Sequence, residues 1–357
     1  MALNRKIRGP LVTVAGGLAL ALALSSCGLD ESPSGGAEGS EGGTLTIYTA
    51  RDKGLAEAVV ADFEEANPEY AGKVEILTLG AQEALERIRA EKANPQGDIW
   101  WGGTGQQMKQ AAGDDILAPA PDAVVDAVPE ELRDPAGLWV GEMQLAEVIF
   151  YNHDMLTADQ APTDWDDLIA PEMADKIAIR DVEASGTMRS IYSAMIDRKY
   201  DESGSPEAGY EWLRQLDANT KVYAANPTDL YLRVTRQEAA ASAWNLQDVM
   251  LQIDGQNAPY TPVVPESGAP MLVDGVAKIK NGPSSDAADA FLEFLLSEDT
   301  QKELSETYYQ IPSIAMTEQP AWLAELDLKE MDVDWDRIGT NETEWIGYWA
   351  ENIKGKG

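Results

Sequence analysis

The chain has one cysteine and one histidine in 357 residues. A single thiol, Cys27, excludes an intrachain disulfide framework. A single imidazole, His153, leaves no His/Cys metal cluster and no obvious base to activate a serine; it reads as a polar surface or hinge residue. No zinc pattern, dinucleotide fingerprint or P-loop is present, since Gly102-Gly103-Thr104-Gly105 lacks the P-loop lysine. No enzyme activity, metal or cofactor is therefore expected. Basic residues are also scarce: 27 Lys and Arg stand against 62 Asp and Glu, a formal net charge of −35. Bulk charge of that sign disfavours nucleic acid and anionic membrane. The acids are spread through helices and loops, so a solvated surface adapted to salt explains them as well as a cationic ligand would. Long apolar runs are missing too. Beyond Leu11 to Leu24, no stretch is long enough to cross a bilayer.

That one run follows Arg5, Lys6 and Arg8 and ends at Leu24-Ser25-Ser26-Cys27. It reads as a secretory signal over residues 1–26, with small residues at the cleavage point. Its removal takes three basic and no acidic residues, leaving the mature chain more negative still. Residues 27–43 are rich in Gly, Ser and Glu and read as a flexible tether. About 310 residues remain, enough for two lobes with separate cores.

The ordered part opens as strand, helix, strand, helix, strand. Thr44 to Ala50 alternates as a strand. Gly54 to Ala66 is an amphipathic helix with Leu55, Val59, Val60 and Phe63 on one face, stopped by Asn67-Pro68. Lys73 to Leu79 is a second strand and Ala81 to Ala93 a second helix. Asp98 to Trp101 is a third strand, followed by a glycine-rich loop. This alternation predicts a parallel sheet with helices on its faces, and ligands meet such sheets at the carboxyl ends of strands. The loops Thr49-Ala50-Arg51-Asp52 and Gly102-Gly103-Thr104 lie there. Leu138 to Met143 and Ala146 to Asn152 read as two further strands. Helices and strands alternate again from Glu207 onward, and the Trp-rich tail after Ile311 is left unplaced.

One stretch stands out between these halves. Lys176 to Arg180 is a short strand, and Met188 onward is helical, with Ser185-Gly186-Thr187 at the joint. A helix start leaves backbone N–H groups unpaired, and serine is a preferred cap. Glycine admits close approach of a ligand, and the helix dipole favours negative charge there. Two readings stand: a capped helix start, or an anion seat with added hydroxyls from Ser185 and Thr187.

Taken together, these motifs resemble a known family. Ala146 to Asn152, then Ala161-Pro162-Thr163-Asp164-Trp165-Asp166-Asp167-Leu168, then Ile177 to Thr187 are similar in order and spacing to the periplasmic-type solute-binding proteins of ABC importers. The run from Gly275 to Gln301 and the close at Ile311-Pro312-Ser313 match as well. Leu24-Ser25-Ser26-Cys27 resembles a bacterial lipobox, with Cys27 as the lipidated residue. The resemblance implies an α/β, two-lobe, type II-like periplasmic-binding-protein fold with ligand in the cleft between lobes. Lobe 1 would hold 44–141 plus about 265–313, and lobe 2 about 142–264 plus 314–357. The chain would cross near 141–148 and return near 263–270. It further implies export, a lipid anchor on the outer face of the bacterial cell membrane, a permease partner and a monomeric state.

The branch it resembles contains ferric-ion, sugar-phosphate, phosphonate and polyamine binders. Ferric binders of this kind usually place a tyrosine pair in the segment that reads Ala243 to Asp248 here, and a histidine in the loop that reads Arg51-Asp52-Lys53. Neither stands here. The ligand expected is an oxyanion-bearing organic compound, a phosphonate or sugar phosphate. The site would draw on Thr49, Arg51, Asp52, Gly103, Thr104, Ser185, Gly186, Thr187, Trp244, Asn245, Asp248 and Glu266. Arg51 would supply a bidentate pair, or be a surface charge. Trp244 would pack on an organic moiety, or lie in the core. Asp248 and Glu266 would hold hydroxyls or an amine. The alternatives are ferric iron or an iron chelate, a polyamine, or a non-transport sensor lipoprotein.

Overall fold

The computed structural model describes residues 43–356. The expected signal peptide, Cys27 and the tether up to residue 42 lie outside the described residues.

The first half builds one sheet with helices on both faces. Its elements are β1 (Leu45–Thr49), α1 (Lys53–Ala66), β2 (Val74–Thr78), α2 (Ala81–Ala90), β3 (Ile99–Thr104), α3 (Gly105–Gly113), β4 (Leu117–Ala118) and α4 (Asp122–Ala127). Helix α1 starts where Asp52 Oδ1 accepts from Gly54 N at 2.8 Å, and it stops before Pro68, which disfavours helical backbone at Asn67. It buries Leu55, Val59, Val60 and Phe63, the face its sequence period predicts. β1 pairs in parallel with β2 and β3. Alternation along β3 sends Trp101 into the core with Phe63 and Phe291, and Trp100 into the opposite core with Leu85 and Met108.

β5 (Val140–Asn152) then runs thirteen residues without a break. The two strands expected in this stretch are therefore one. It is followed by β6 (Ile177–Arg180), α5 (Gly186–Ser203), α6 (Glu207–Asn219), β7 (Thr220–Ala224), α7 (Pro227–Thr235), β8 (Ala241–Asn245), α8 (Leu246–Gln256) and β9 (Tyr260–Val263). The last elements are β10 (Met271–Ile279), α9 (Ser285–Leu295), α10 (Glu298–Tyr308), β11 (Ile311–Pro312), α11 (Ala321–Ala324) and α12 (Trp335–Asn352).

The strands form one curled sheet in the order β2-β1-β3-β10-β5-β8-β6-β7. β5 joins its two halves. Residues 140–146 of β5 pair with β10, and Gln144 and Met143 with β11. Residues 147–151 pair with β8, and 149–152 with β9. β9 and β10 accompany β5 in the opposite direction, so the chain passes out along β5 and back along β9 and β10, and it crosses a third time after α10. The result is an α/β structure of two halves that share β5.

The Trp-rich tail, unplaced from sequence, packs on the second half. Trp345 and Trp349 of α12 enter the core that contains Ile179, Met195 and Leu213. Arg189 of α5 donates to Glu342 of α12 at 2.9 Å, and Arg337 of α12 to buried Asp197 at 2.6 Å. The chain end is fixed where Gly355 N and Lys356 N both donate to the Asp217 carboxylate. Among the described residues no helix is long and apolar enough to cross a membrane.

Candidate functional site

Strand direction decides where a site can lie. β1, β2 and β3 are parallel, so their carboxyl ends share one edge. Asp274 of β10 stands opposite Thr104 at that edge and opposite Met143 of β5. β6 is parallel to both β7 and β8, so their carboxyl ends share a second edge. There Asn245 stands opposite Glu147 of β5. Met143 and Glu147 are four residues apart, about 13 Å of extended chain. Two carboxyl edges thus face each other across a gap floored by β5. Two surface cavities, of about 580 and 450 Å³, lie at the amino ends of strands, one lined by Asp98, Leu117 and Lys278, the other by Met155, Glu172 and Lys176, and a third, of about 360 Å³, lies beside β5 against Gln144, Met271 and Ile311.

The first edge carries Thr49, Arg51, Asp52, Gly103 and Thr104. Thr49 is fully buried, and its Oγ1 accepts from Arg51 N at 3.1 Å. Asp52 caps α1 and is exposed. The expected glycine loop is strand: β3 continues through Gly102 and Gly103 to Thr104. Packing explains the glycine at 103, because a Cβ there would fall 2.5 Å from Trp100 Cζ2 and 2.9 Å from Met108 Cε. Thr104 caps α3, its Oγ1 accepting from Gln107 N while its own N donates to Gln107 Oε1 at 3.0 Å.

Arg51 is neither a surface charge nor unpaired. It is 8% exposed, its Nη1 donates to Asp274 Oδ2 at 2.8 Å, and its Nη2 donates to Glu142 Oε2. Burial alone would lower the guanidinium pKa, but the charges of Asp274 and Glu142 outweigh it and raise the value. Burial raises both carboxyls, against the pull of Arg51. One cation between two carboxylates leaves this cluster with no net positive charge to offer.

The second edge carries Ser185, Gly186, Thr187, Trp244, Asn245 and Asp248. Ser185 is the cap of the eighteen-residue α5, with its Oγ accepting from Met188 N at 3.2 Å. The first-turn N–H groups of that helix have no carbonyl of their own helix to donate to. Gly186 is exposed, and no neighbouring atom lies within 4 Å of the place a Cβ would take, so the turn is open to approach. Asn245 caps α8 by accepting from Asp248 N at 2.8 Å. Asp248 Oδ2 accepts from Trp244 Nε1 and Tyr231 Oη at 2.9 Å each, and from Asn245 Nδ2 at 3.2 Å. Trp244 is 4% exposed and sits in the second core. Burial, then the Asp248 charge, push the Tyr231 phenol upward.

Glu266 is not brought to either edge. It is exposed, its N donates to Thr163 O at 3.2 Å, and its carbonyl accepts from Lys329 Nζ at 2.7 Å. His153 is exposed as well, with Nδ1 3.3 Å from Thr261 Oγ1.

Four groups at these edges were not singled out from sequence: Glu142, Asp274, Glu147 and Arg180. Glu147 is fully buried, and neither carboxylate oxygen has a hydrogen-bond partner. Burial, then the neighbouring Asp248 charge, raise its pKa well above the usual carboxyl range. Arg180 closes β6, and only its position at a strand's carboxyl end marked it in the sequence. Among the described residues no group of three His, Cys, Asp or Glu side chains is placed to hold a metal ion.

Comparison with known proteins adds four findings. Residues 102–341 match the family model described as bacterial extracellular solute-binding protein. Iron uptake protein A2 of Synechocystis is 26% identical over 292 residues, 76% of this chain and 78% of that one. A putative 2-aminoethylphosphonate-binding periplasmic protein of Salmonella typhimurium is 24% identical over 240 residues, 65% of this chain and 67% of that one. Among solved structures, the periplasmic binding protein AfuA from Actinobacillus pleuropneumoniae, with exogenous fructose-6-phosphate bound, superposes with a TM-score of 0.71 at 25% identity. The match covers 88% of this chain and 99% of that one.

Proposed function

The chain belongs to the bacterial extracellular solute-binding proteins, the solute-binding components of ABC importers, and from that premise we propose that its solute is an oxyanion-bearing organic compound, a phosphonate or sugar phosphate. The observation that carries this is the open turn Ser185-Gly186-Thr187 at the start of α5, on a carboxyl edge that faces a second one. Unpaired N–H groups, hydroxyls and the helix dipole all favour an oxyanion there. The names of the phosphonate-binding and fructose-6-phosphate-bound relatives support the same ligand class.

In this reading lobe 1 holds residues 44–141 plus about 265–313, and lobe 2 about 142–264 plus 314–357. Asp52 and Thr104 face the ligand from lobe 1, with buried Thr49 supporting the loop through its bond to Arg51 N, and Ser185, Gly186, Thr187, Asn245 and Asp248 face it from lobe 2. Gly103 and Trp244 shape the walls. Closure of the lobes presents one shape to the permease. The protein performs no chemistry on the solute, which leaves unchanged. It works as an exported monomer held at the outer face of the cell membrane by a lipid on Cys27. Cys27→Ser tests the anchor, since it releases the protein to the soluble fraction; retention at the membrane would count against lipidation.

Thermal melting of the full chain tests the ligand class. The panel is orthophosphate, 2-aminoethylphosphonate, fructose 6-phosphate, spermidine, ferric citrate and ferric ion. A compound that binds only the folded state raises the melting temperature. The expected shift is with a phosphoryl or phosphonyl compound. A shift with ferric ion or ferric citrate alone would replace this reading with iron uptake.

A further inference from the structure

We infer that Arg180, and not Arg51, is the guanidinium that grips the solute, and that the group it grips is a phosphoryl or phosphonyl. This rests on the oxyanion reading above. Two arginines stand at strand ends that face the gap, Arg180 closing β6 and Arg51 two residues past β1, and both are 8% exposed. Arg51 meets two carboxylates of its own chain, so an incoming anion would have to displace Glu142 or Asp274. Arg180 meets none. Its Nη1 donates to two backbone carbonyls, Asp181 O at 3.2 Å and Ala224 O at 3.3 Å. Its Nε is buried with no acceptor. Among the described residues it forms no ion pair, in a chain where acids outnumber bases by more than two to one. A guanidinium carries five donors, and a buried cation is unfavourable unless a counter-charge is supplied.

Placement indicates what supplies it. The carbonyl of Asp181, which Arg180 contacts, opens the turn whose last residue, Ser185, caps α5. Ala224, the other contact, ends β7 two residues before Asn226, the cap of α7. β6 lies between β7 and β8, so α5, α7 and α8 all start at the edge where Arg180 ends its strand. Helix starts and a planar fork of N–H groups on one edge suit a compact group with several acceptor oxygens and more than one negative charge. A neutral sugar or a bare amine leaves Arg180 without a bonded counter-charge.

The test is calorimetric titration of the full chain with orthophosphate, 2-aminoethylphosphonate and fructose 6-phosphate, as wild type, Arg180→Gln and Arg180→Lys. At least one probe binds the wild type. Arg180→Gln loses about tenfold or more in affinity, as expected when one partner of a desolvated charge pair is removed. Arg180→Lys recovers part of the loss, and the salt dependence of binding flattens in Arg180→Gln. Phenylglyoxal labelling read by mass spectrometry gives a second measure that needs no mutation: the binding probe protects Arg180. Wild-type affinity in Arg180→Gln, or labelling of Arg180 undiminished by a bound probe, would overturn the inference and leave the oxyanion reading standing. Failure of all three probes to bind the wild type would overturn both.

Discussion

Arg51 Nη1 donates to Asp274 Oδ2 at 2.8 Å across 223 positions of sequence. The bond ties the end of the first strand to the strand that returns from the second half. Together with Glu142 it makes Arg51 a structural cation. Replacing Arg51 by methionine leaves two buried carboxyls without their partner, and removing one side of such a pair costs about 3–5 kcal/mol. The urea midpoint should fall accordingly. An unchanged midpoint with weakened ligand binding would instead assign Arg51 to the solute.

Glu147 should make stability depend on pH. Its folded pKa is raised, chiefly by burial, and a raised acid favours the folded state while protonated. That contribution is complete below the usual glutamate value and is lost as pH rises toward the folded value. Each unit of elevation amounts to about 1.4 kcal/mol at the high end. Glu147→Gln cannot ionise, so it removes this decline. Denaturation of both proteins at pH 4.5 and pH 7.5 checks it: the variant gains on the wild type at the higher pH. A constant difference between the two would show that Glu147 keeps one charge state throughout.

Ser185 separates capping from binding. Aspartate is as good a cap as serine, so Ser185→Asp should melt within a few degrees of wild type. Its negative charge nevertheless repels an oxyanion at the same turn, and phosphonate binding should vanish. Ser185→Ala should show the converse: about 1 kcal/mol less stable from the lost bond to Met188 N, with binding weakened rather than abolished. Retained phosphonate affinity in Ser185→Asp would remove the turn from the site.

Asp248 is the shared acceptor of Trp244, Tyr231 and Asn245. Asp248→Ala leaves the indole N–H of a buried tryptophan without an acceptor. One such loss costs about 1–3 kcal/mol, and chemical denaturation should register at least that. A variant as stable as wild type would mean that the three donors find other partners.

The parts of the fold that were legible in the sequence are those governed by local rules. The opening strands and helices follow from side-chain period and from stops such as Asn67-Pro68, and Ser185 as a helix cap follows from the residue itself. β5 was divided in two because the strand changes partners between Met143 and Glu147 and carries a register shift opposite Asp274 and Gly275, so its alternation breaks while its backbone does not. Gly102-Gly103 read as a loop because glycine is usually loop punctuation; here position 103 clears the Trp100 ring inside a strand. The partners of Arg51 lie 91 and 223 residues away, and no local pattern announces them. Arg180 escaped notice for a related reason: what marks it is the absence of a bonded carboxylate, which only three dimensions reveal.

The two ends of the described chain are held by different halves of the molecule. Thr44 O accepts from Ser284 Oγ beside the first sheet, while Lys356 N rests on Asp217 in the second. The first end lies at the amino end of β1, and the second lies two residues past Lys354, whose Nζ donates to Asp181 and Glu183 in the turn after β6. A donor dye near residue 44 and an acceptor dye near residue 356 would therefore form an optical gauge across the hinge. Energy transfer between them would register a solute drawing the halves together.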